Sequence, residues 1–375
     1  MPVQSKPAAP SILQCLVGTD GYSLRSLAVL SGFFTSKDWA QLLLINRQYF
    51  DMWYDFTSVN HITFEGASAL RFAKKKRQHL SREVRFMDLR GLKPSQFAFD
   101  QFMNRLEYVP DLCSLHLPED QQKIRTAGGT AISDALFKVC YEMQGLTSLA
   151  VTGDSAFLDD ADHLHALLCL QSLQRLDMSN NPNKLNDNVE AISYLHKLEY
   201  LNLANSKSVS PEALRKMLEQ PTEANLRRFL LLLKSINLSG CQVTDDVLAA
   251  LTQSRPGLRT VNFSRCTHSD LTADGFIRFL RLMAQSVAGT GHTGLVEVSL
   301  QGCPWVDRKV LVGLGTSCPG LKELNLSDSS QINQRDLNDL LCTLPGLRLI
   351  VGHPEWVDNY DPFQDYDQFM LSTSV

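Results

Sequence analysis

The chain has 375 residues and a formal net charge of −4, with an isoelectric point near 6.1, which argues against a dedicated nucleic-acid binder with its basic face. Nine cysteines stand singly, with no C-x-x-C pair, so reduced thiols are expected rather than a disulfide framework. No apolar run reaches the ~18 residues that a membrane helix needs, and a cytoplasmic or nuclear location is the expectation.

In chain order, residues 1–10 read as a disordered tail with no apolar signal core. Residues 11–56 differ from everything after them and read as a small helical module. Its centre runs Leu24-Arg-Ser-Leu27-Ala-Val-Leu30-Ser-Gly-Phe33-Phe34-Thr-Ser-Lys-Asp38-Trp39-Ala-Gln-Leu42-Leu43-Leu44-Ile45-Asn46-Arg47. The spacing predicts a first helix over 24–33, with Leu24, Leu27, Leu30 and Phe34 on one stripe. Thr35 or Ser36 caps a second helix, and Asp38 falls in its first turn, where an acid complements the helix dipole. Leu42, Leu43, Tyr49, Phe50 and Trp53 add more apolar surface than two helices can hide. On periodicity alone the module is a cap sealing the next domain.

From residue 57 one phrase recurs. Its clearest copies are Leu233-Lys-Ser-Ile236-Asn-Leu238-Ser-Gly-Cys241, Leu258-Arg-Thr-Val261-Asn-Phe263-Ser-Arg-Cys266, Leu295-Val-Glu-Val298-Ser-Leu300-Gln-Gly-Cys303 and Leu321-Lys-Glu-Leu324-Asn-Leu326-Ser-Asp-Ser329. Weaker copies start at 59, 84, 112, 146, 173, 198 and 347. Each is Leu-x-x-Leu-x-Leu-x-x-Cys, with Asn or Ser also at the ninth position: the strand and turn of a leucine-rich repeat. Helical segments follow the clear copies, with apolar residues such as Val247, Leu248 and Leu251 at helical spacing. The expected fold is therefore α/β: a solenoid over 57–352 of about 11 repeats, with a parallel sheet on the concave face and helices on the convex one. One repeat cannot bury its own apolar face, so neighbours must stack. Three longer intervals require insertions, around 119–130, 220–232 and 285–294.

Two resemblances follow from these residues. The segment 24–53 resembles an F-box: Leu27 and Leu30, the Phe33-Phe34 step, Ser-Lys-Asp38, the Leu-rich second helix, then Asn46-Arg47 and an aromatic pair. It departs where Tyr22-Ser23 replaces the family's Leu-Pro, and Tyr49 or Trp53 must serve for the expected Trp. The later repeats resemble the cysteine-containing class found in F-box leucine-rich-repeat proteins, in Cys241-Gln-Val-Thr-Asp-Asp-Val-Leu and Ser317-Cys318-Pro319-Gly320-Leu321. The resemblance implies that Leu27, Leu30, Phe33, Phe34, Asp38, Trp39, Leu42, Leu43 and Ile45 contact a Skp1-type adaptor. It also implies that the solenoid holds a protein substrate for a Skp1–cullin–F-box ubiquitin ligase.

Candidate binding residues lie on the outward positions of the strands. The row Asp88, His116, Asp177, Asn202, Asn237, Asn262, Ser299 and Asn325 is polar and suits a side-chain amide ladder as well as a groove. Phe86, Arg90, Arg175 and Tyr200 are the best anchors, which favours the first half of the sheet for a protein partner.

Other motifs have plainer readings. Gly289-Thr-Gly291-His-Thr-Gly294 matches a phosphate-loop spelling but precedes a strand instead of following one. Asp159, Asp160, Asp162, His163, His165 and Cys169 could ligate a metal, yet the acids suit a helix N-terminus. Lys74-Lys75-Lys76-Arg77 suits a solvated helix face, with nuclear import as the functional alternative. No catalytic set appears, and no cofactor or metal is expected. The tail from 353 alternates acids with Trp356, Tyr360, Phe363, Tyr366 and Phe369, and either caps the last repeat or lies along a groove. The main alternative to a ligase receptor is a non-catalytic scaffold or structural subunit of a large assembly. A small-GTPase regulator lacks a supporting motif.

Overall fold

Each Leu-x-x-Leu-x-Leu phrase folds into one short strand, because alternate side chains of an extended segment point to opposite faces. The computed structural model describes residues 61–63, 86–88, 112–117, 140–141, 143–153, 166–181, 187–219, 230–253, 257–287 and 294–350. The module at 11–56, the basic run at 74–77 and the segment after 350 lie outside them.

Eleven strands form one parallel sheet in strict chain order. They are β1 (His61–Thr63), β2 (Phe86–Asp88), β3 (Ser114–His116), β4 (Ser148–Ala150), β5 (Arg175–Asp177) and β6 (Tyr200–Asn202). Then come β7 (Ser235–Asn237), β8 (Thr260–Asn262), β9 (Glu297–Ser299), β10 (Glu323–Asn325) and β11 (Arg348–Ile350). From β3 to β10 the middle residue of each strand faces inward: Leu115, Leu149, Leu176, Leu201, Ile236, Val261, Val298 and Leu324 are all buried. They belong to one continuous apolar cluster running from Leu112 to Leu347, as stacking requires.

The last copy departs from expectation. Leu347 and Ile350 were the predicted aliphatic pair, but the register sets Leu349 opposite Leu324. Leu347 N–H bonds the Leu344 carbonyl as Leu321 N–H bonds that of Cys318, so the copy is one residue short between its first two inward positions.

Behind the later strands lie α1 (Pro211–Leu218), α2 (Asp245–Leu251), α3 (Ala273–Val287), α4 (Arg308–Ser317) and α5 (Gln334–Thr343). Each start is set by a capping side chain. Ser210, Thr244, Asp307 and Asn333 accept from the third residue on, and Thr272 Oγ1 accepts from Gly275 N–H at 2.9 Å, satisfying donors the first turn leaves open. Helix α3 runs to Val287, past residue 285 where the insertion was expected to start, so the insertion there begins later. Its Phe276 and Phe279 meet Phe263 edge-on at centroid distances of 6.1 and 6.0 Å, and all three are fully buried.

Two turn positions make the stack regular. The eighth residue of the phrase adopts a left-handed conformation in copy after copy: Gly153, Asn180, Asn205, Gly240, Arg265, Gly302 and Asp328 all have φ between 57° and 78°. Glycine, Asn and Asp tolerate this region; Arg265 does so at a cost. The bend aims the residue's N–H at the next repeat: Asn205 N–H reaches the Ser239 carbonyl at 2.7 Å and Gly240 N–H that of Ser264 at 2.8 Å. The ladder thus continues past the strand.

The ninth residue reaches backwards. Cys241, Cys266 and Cys303 point their thiols at the carbonyls of Leu203, Leu238 and Phe263, at 2.9, 3.2 and 3.0 Å. Asn181 does the same to Val151 at 3.1 Å and also bonds the Met178 and Ser179 carbonyls. Burial pushes the thiols of Cys241 and Cys303 up to about 12 and that of Cys266 well above its ordinary value. They remain protonated and serve as donors.

Candidate interaction face

The register brings the predicted outward row together. Asp88 pairs with His116, His116 with Ala150, Ala150 with Asp177, and Asp177 with Asn202. Asn202 pairs with Asn237, Asn237 with Asn262, and the row continues through Ser299 to Asn325. Phe86 opens β2 in register with Ser114. Arg90 and all the adaptor-face residues, from Leu27 to Ile45, lie outside the described residues.

Their surroundings are unequal. His116 keeps 3% of its surface, and Asp177 and Asn202 keep 8% each, whereas Arg175, Tyr200, Asn237 and Asn262 are half-buried. The exposed anchors are therefore fewer than the row suggests.

The side-chain oxygens act locally. Asp177 Oδ1 accepts from Ser179 N–H at 2.9 Å. Asn202, Asn237, Asn262 and Asn325 accept in the same way from Ala204, Ser239, Ser264 and Ser327, at 2.9–3.0 Å. The amide ladder expected across strands is replaced, for these oxygens, by a bond two residues along the same chain. That bond fixes the exit from each strand. The row's composition thus has a structural cause.

Arg175 and Tyr200 are different. They hold paired positions on β5 and β6, and the guanidinium lies 5.8 Å from the ring centroid, within cation–π range. A planar cation and an amphipathic ring side by side form a surface that can bind planar or acidic groups of a partner.

The first strand position carries charges in the second half that the sequence reading passed over. Glu297 accepts from Thr260 Oγ1 at 3.2 Å, and Arg348 bonds Glu323 at 3.2 Å. One residue earlier in the phrase, Lys234 meets Glu199 at 2.7 Å. Lining up the two residues after each opening Leu would have found them, since partners sit at the same or an adjacent step of neighbouring copies. Their charges are met across the strands.

The remaining motifs resolve simply. Gly294, at φ 70°, follows α3 and precedes β9, the order opposite to a phosphate loop. Cys169 closes a 3-10 helix, Leu167–Cys169, while 159–165 lie outside the described residues. Among the described residues no three His, Cys, Asp or Glu side chains converge as metal ligands, and no helix is long and apolar enough to cross a membrane. Of the described cysteines, Cys342 is exposed and Cys140, Cys241, Cys266, Cys303 and Cys318 are buried and unbridged.

No family model matches the sequence, and no curated protein matches it. Among solved structures the chain is similar to one of the yeast Rad7–Elc1 complex, at 16% identity over 88% of this chain and 92% of that one, with a TM-score of 0.45. An internalin, InlF of Listeria monocytogenes, is similar at 17% identity over 72% and 76%, TM-score 0.42. The leucine-rich repeat-containing protein LegL7 of Legionella pneumophila is similar at 15% over 80% and 94%, TM-score 0.46. By its strand order, register and turn chemistry, the chain is an α/β leucine-rich-repeat solenoid.

Proposed function

We propose that this chain is a protein-binding module, the substrate-recognition subunit of a Skp1–cullin–F-box type ubiquitin ligase, with the concave face around Arg175 and Tyr200 as its protein-binding surface. The observation that carries the binding surface is that pair, brought together on adjacent strands of a rigid sheet. The adaptor half of the reading is supported by the F-box resemblance of residues 24–53, in which Leu27, Leu30, Phe33, Phe34, Asp38, Trp39, Leu42, Leu43 and Ile45 would form the docking face.

Such a receptor performs no chemistry of its own. It holds a target lysine near a loaded conjugating enzyme, converting a bimolecular encounter into an effectively intramolecular one. A non-enzyme role agrees with the outward strand residues, whose polar groups serve turns and cross-strand pairs rather than a nucleophile and base.

A pull-down of the full chain against a purified Skp1-type adaptor tests the reading. The wild type is expected to bind, and a Leu30→Asp, Phe33→Ala variant to lose binding while its circular dichroism stays unchanged. A wild type that does not bind would leave the scaffold alternative, with the module as a cap.

A further inference from the structure

The tight turn that leads into a strand recurs along the sheet, and one copy spells it differently. Leu146, Leu173, Leu198, Leu233, Leu321 and Leu347 each donate their N–H to the carbonyl three residues back, at 2.9–3.2 Å. The two residues inside that turn are Gln144-Gly145, Gln171-Ser172, His196-Lys197, Pro319-Gly320 and Pro345-Gly346, polar or turn-forming as a solvent-facing bend favours. Before β7 they are Leu231 and Leu232.

Neither leucine is part of the core. Leu230 and Leu233 on either side are fully buried, while Leu231 keeps 43% of its surface and Leu232 keeps 50%. The other exposed large apolar side chains among the described residues, Tyr141, Leu282 and Val312, stand singly in the chain, as is ordinary for a protein surface. Two adjacent aliphatics in the open, on a backbone fixed by the turn, make a preformed apolar contact point.

The ground around them is cationic. Lys197 holds the position of Leu232 one repeat earlier, since Tyr200 pairs with Ser235, and the two backbones stand about one strand spacing apart, ~5 Å. Arg259 follows on the other side, its N–H bonding the Lys234 carbonyl at 2.8 Å. Both side chains are exposed, and neither meets an acid among the described residues. Lys234, between them, is already met by Glu199 at 2.7 Å. Two unmet cations thus flank two exposed leucines. A second copy of the chain is a poor occupant, because a two-fold contact of this patch with itself would bring four cations together.

We propose that Leu231 and Leu232, with Lys197 and Arg259, form a docking point for a segment of a partner protein that carries an apolar side chain between acidic residues. The patch runs onto the concave face, since Tyr200 opens β6 directly after Glu199. A partner laid over Arg175 and Tyr200 crosses the edge of the sheet at the leucines. Its use as a substrate contact rests on the proposed reading of the concave face; the docking chemistry itself does not.

Selection of a phage-displayed library of random peptides on the full chain tests it. The enriched peptides are expected to carry Leu, Ile or Phe flanked by Asp or Glu, and to bind more weakly as salt rises. A synthetic copy of the strongest binder should lose affinity about tenfold or more on a Leu231→Ser, Leu232→Ser chain. On a Lys197→Glu, Arg259→Glu chain the loss should be about fivefold or more, and this exposed pair keeps the test open if the serine variant misfolds by circular dichroism. No enrichment, enriched peptides without acids, or unchanged binding to either folded variant would overturn the proposal. So would sedimentation showing wild-type dimers that the serine substitutions dissolve. Binding that survives Tyr200→Ala but not the leucine substitutions would support the docking point while removing the concave face from it. The assay contains no adaptor, so its failure and a failed adaptor pull-down are separate results.

Discussion

Asp245, in the first turn of α2, holds the start of the next helix: its carboxylate accepts from Thr272 N–H at 2.9 Å and from Thr272 Oγ1 at 2.7 Å. Thr272 in turn caps α3 through Gly275 N–H. The contact is possible because residue 275 has no side chain, since a Cβ there would stand 2.0 Å from Asp245 Cγ. Alanine for glycine in a helix ordinarily stabilises by about 1 kcal/mol. Here Gly275→Ala displaces the carboxylate and breaks two charge-assisted bonds worth more together. We expect Gly275→Ala to destabilise by about 1 kcal/mol in urea unfolding. In an Asp245→Ala background the same substitution should turn neutral or stabilising, and additive effects in the double-mutant cycle would refute the coupling.

The buried Phe263, Phe276 and Phe279 triad joins one strand to the next helix, and Trp305 of the following repeat packs on it at 5.2 Å from Phe276. Phe279→Ala should cost about 3–5 kcal/mol, the cavity being too enclosed to collapse. Because neighbouring repeats share the core, the loss should appear as broadened or split thermal unfolding of the later repeats. A change below about 1 kcal/mol would mean the site relaxes.

The thiols set an alkaline limit. Cys140, Cys241, Cys303 and Cys318 are each pushed up to about 12 by burial, whereas unfolded thiols ionise near ~8.5. A raised folded value means that the native state keeps protons the unfolded state releases. Stability is therefore full below about pH 8.5 and falls as pH rises toward 12, by about 1.4 kcal/mol per pH unit for each such thiol. Equilibrium unfolding at pH 8, 9 and 10 measures the slope, and Cys303→Ala should flatten it. At neutral pH, Cys342 should alkylate first among the described cysteines, the buried ones reacting only in denaturant.

Arg175 and Tyr200 are expected to matter for binding more than for folding. Their contact lies at a half-buried surface and contributes about 0.5–1 kcal/mol, so Tyr200→Ala should move the unfolding midpoint only slightly. A loss of several kcal/mol would recast the pair as part of the core.

Much of the fold was legible because it repeats. Ten of the strands fall two residues after the predicted phrase starts, and inward Leu, Ile and Val recur at fixed steps, so each copy supports the others' register. The last copy misled the reading because both Leu349 and Ile350 satisfy an aliphatic pattern, and only pairing with β10 chooses between them. The candidate face was half legible. Arg175 and Tyr200 were found as outward residues, yet the Asn row's oxygens close turns and the charges of Lys234, Glu199, Glu323 and Arg348 meet across strands. Those are distances between copies, which a linear pattern does not contain.

Sequence alone determined the repeat, the parallel order and the turn residues, because strand alternation, left-handed bends and helix caps are local properties of a few residues. Tertiary structure decided what stacking brings within reach: the thiol-to-carbonyl ladder, the bond from Asp245 to Thr272, and the placing of Arg175 beside Tyr200. Each joins residues 25 or more apart, and only a fixed superposition of one repeat on the next makes them neighbours.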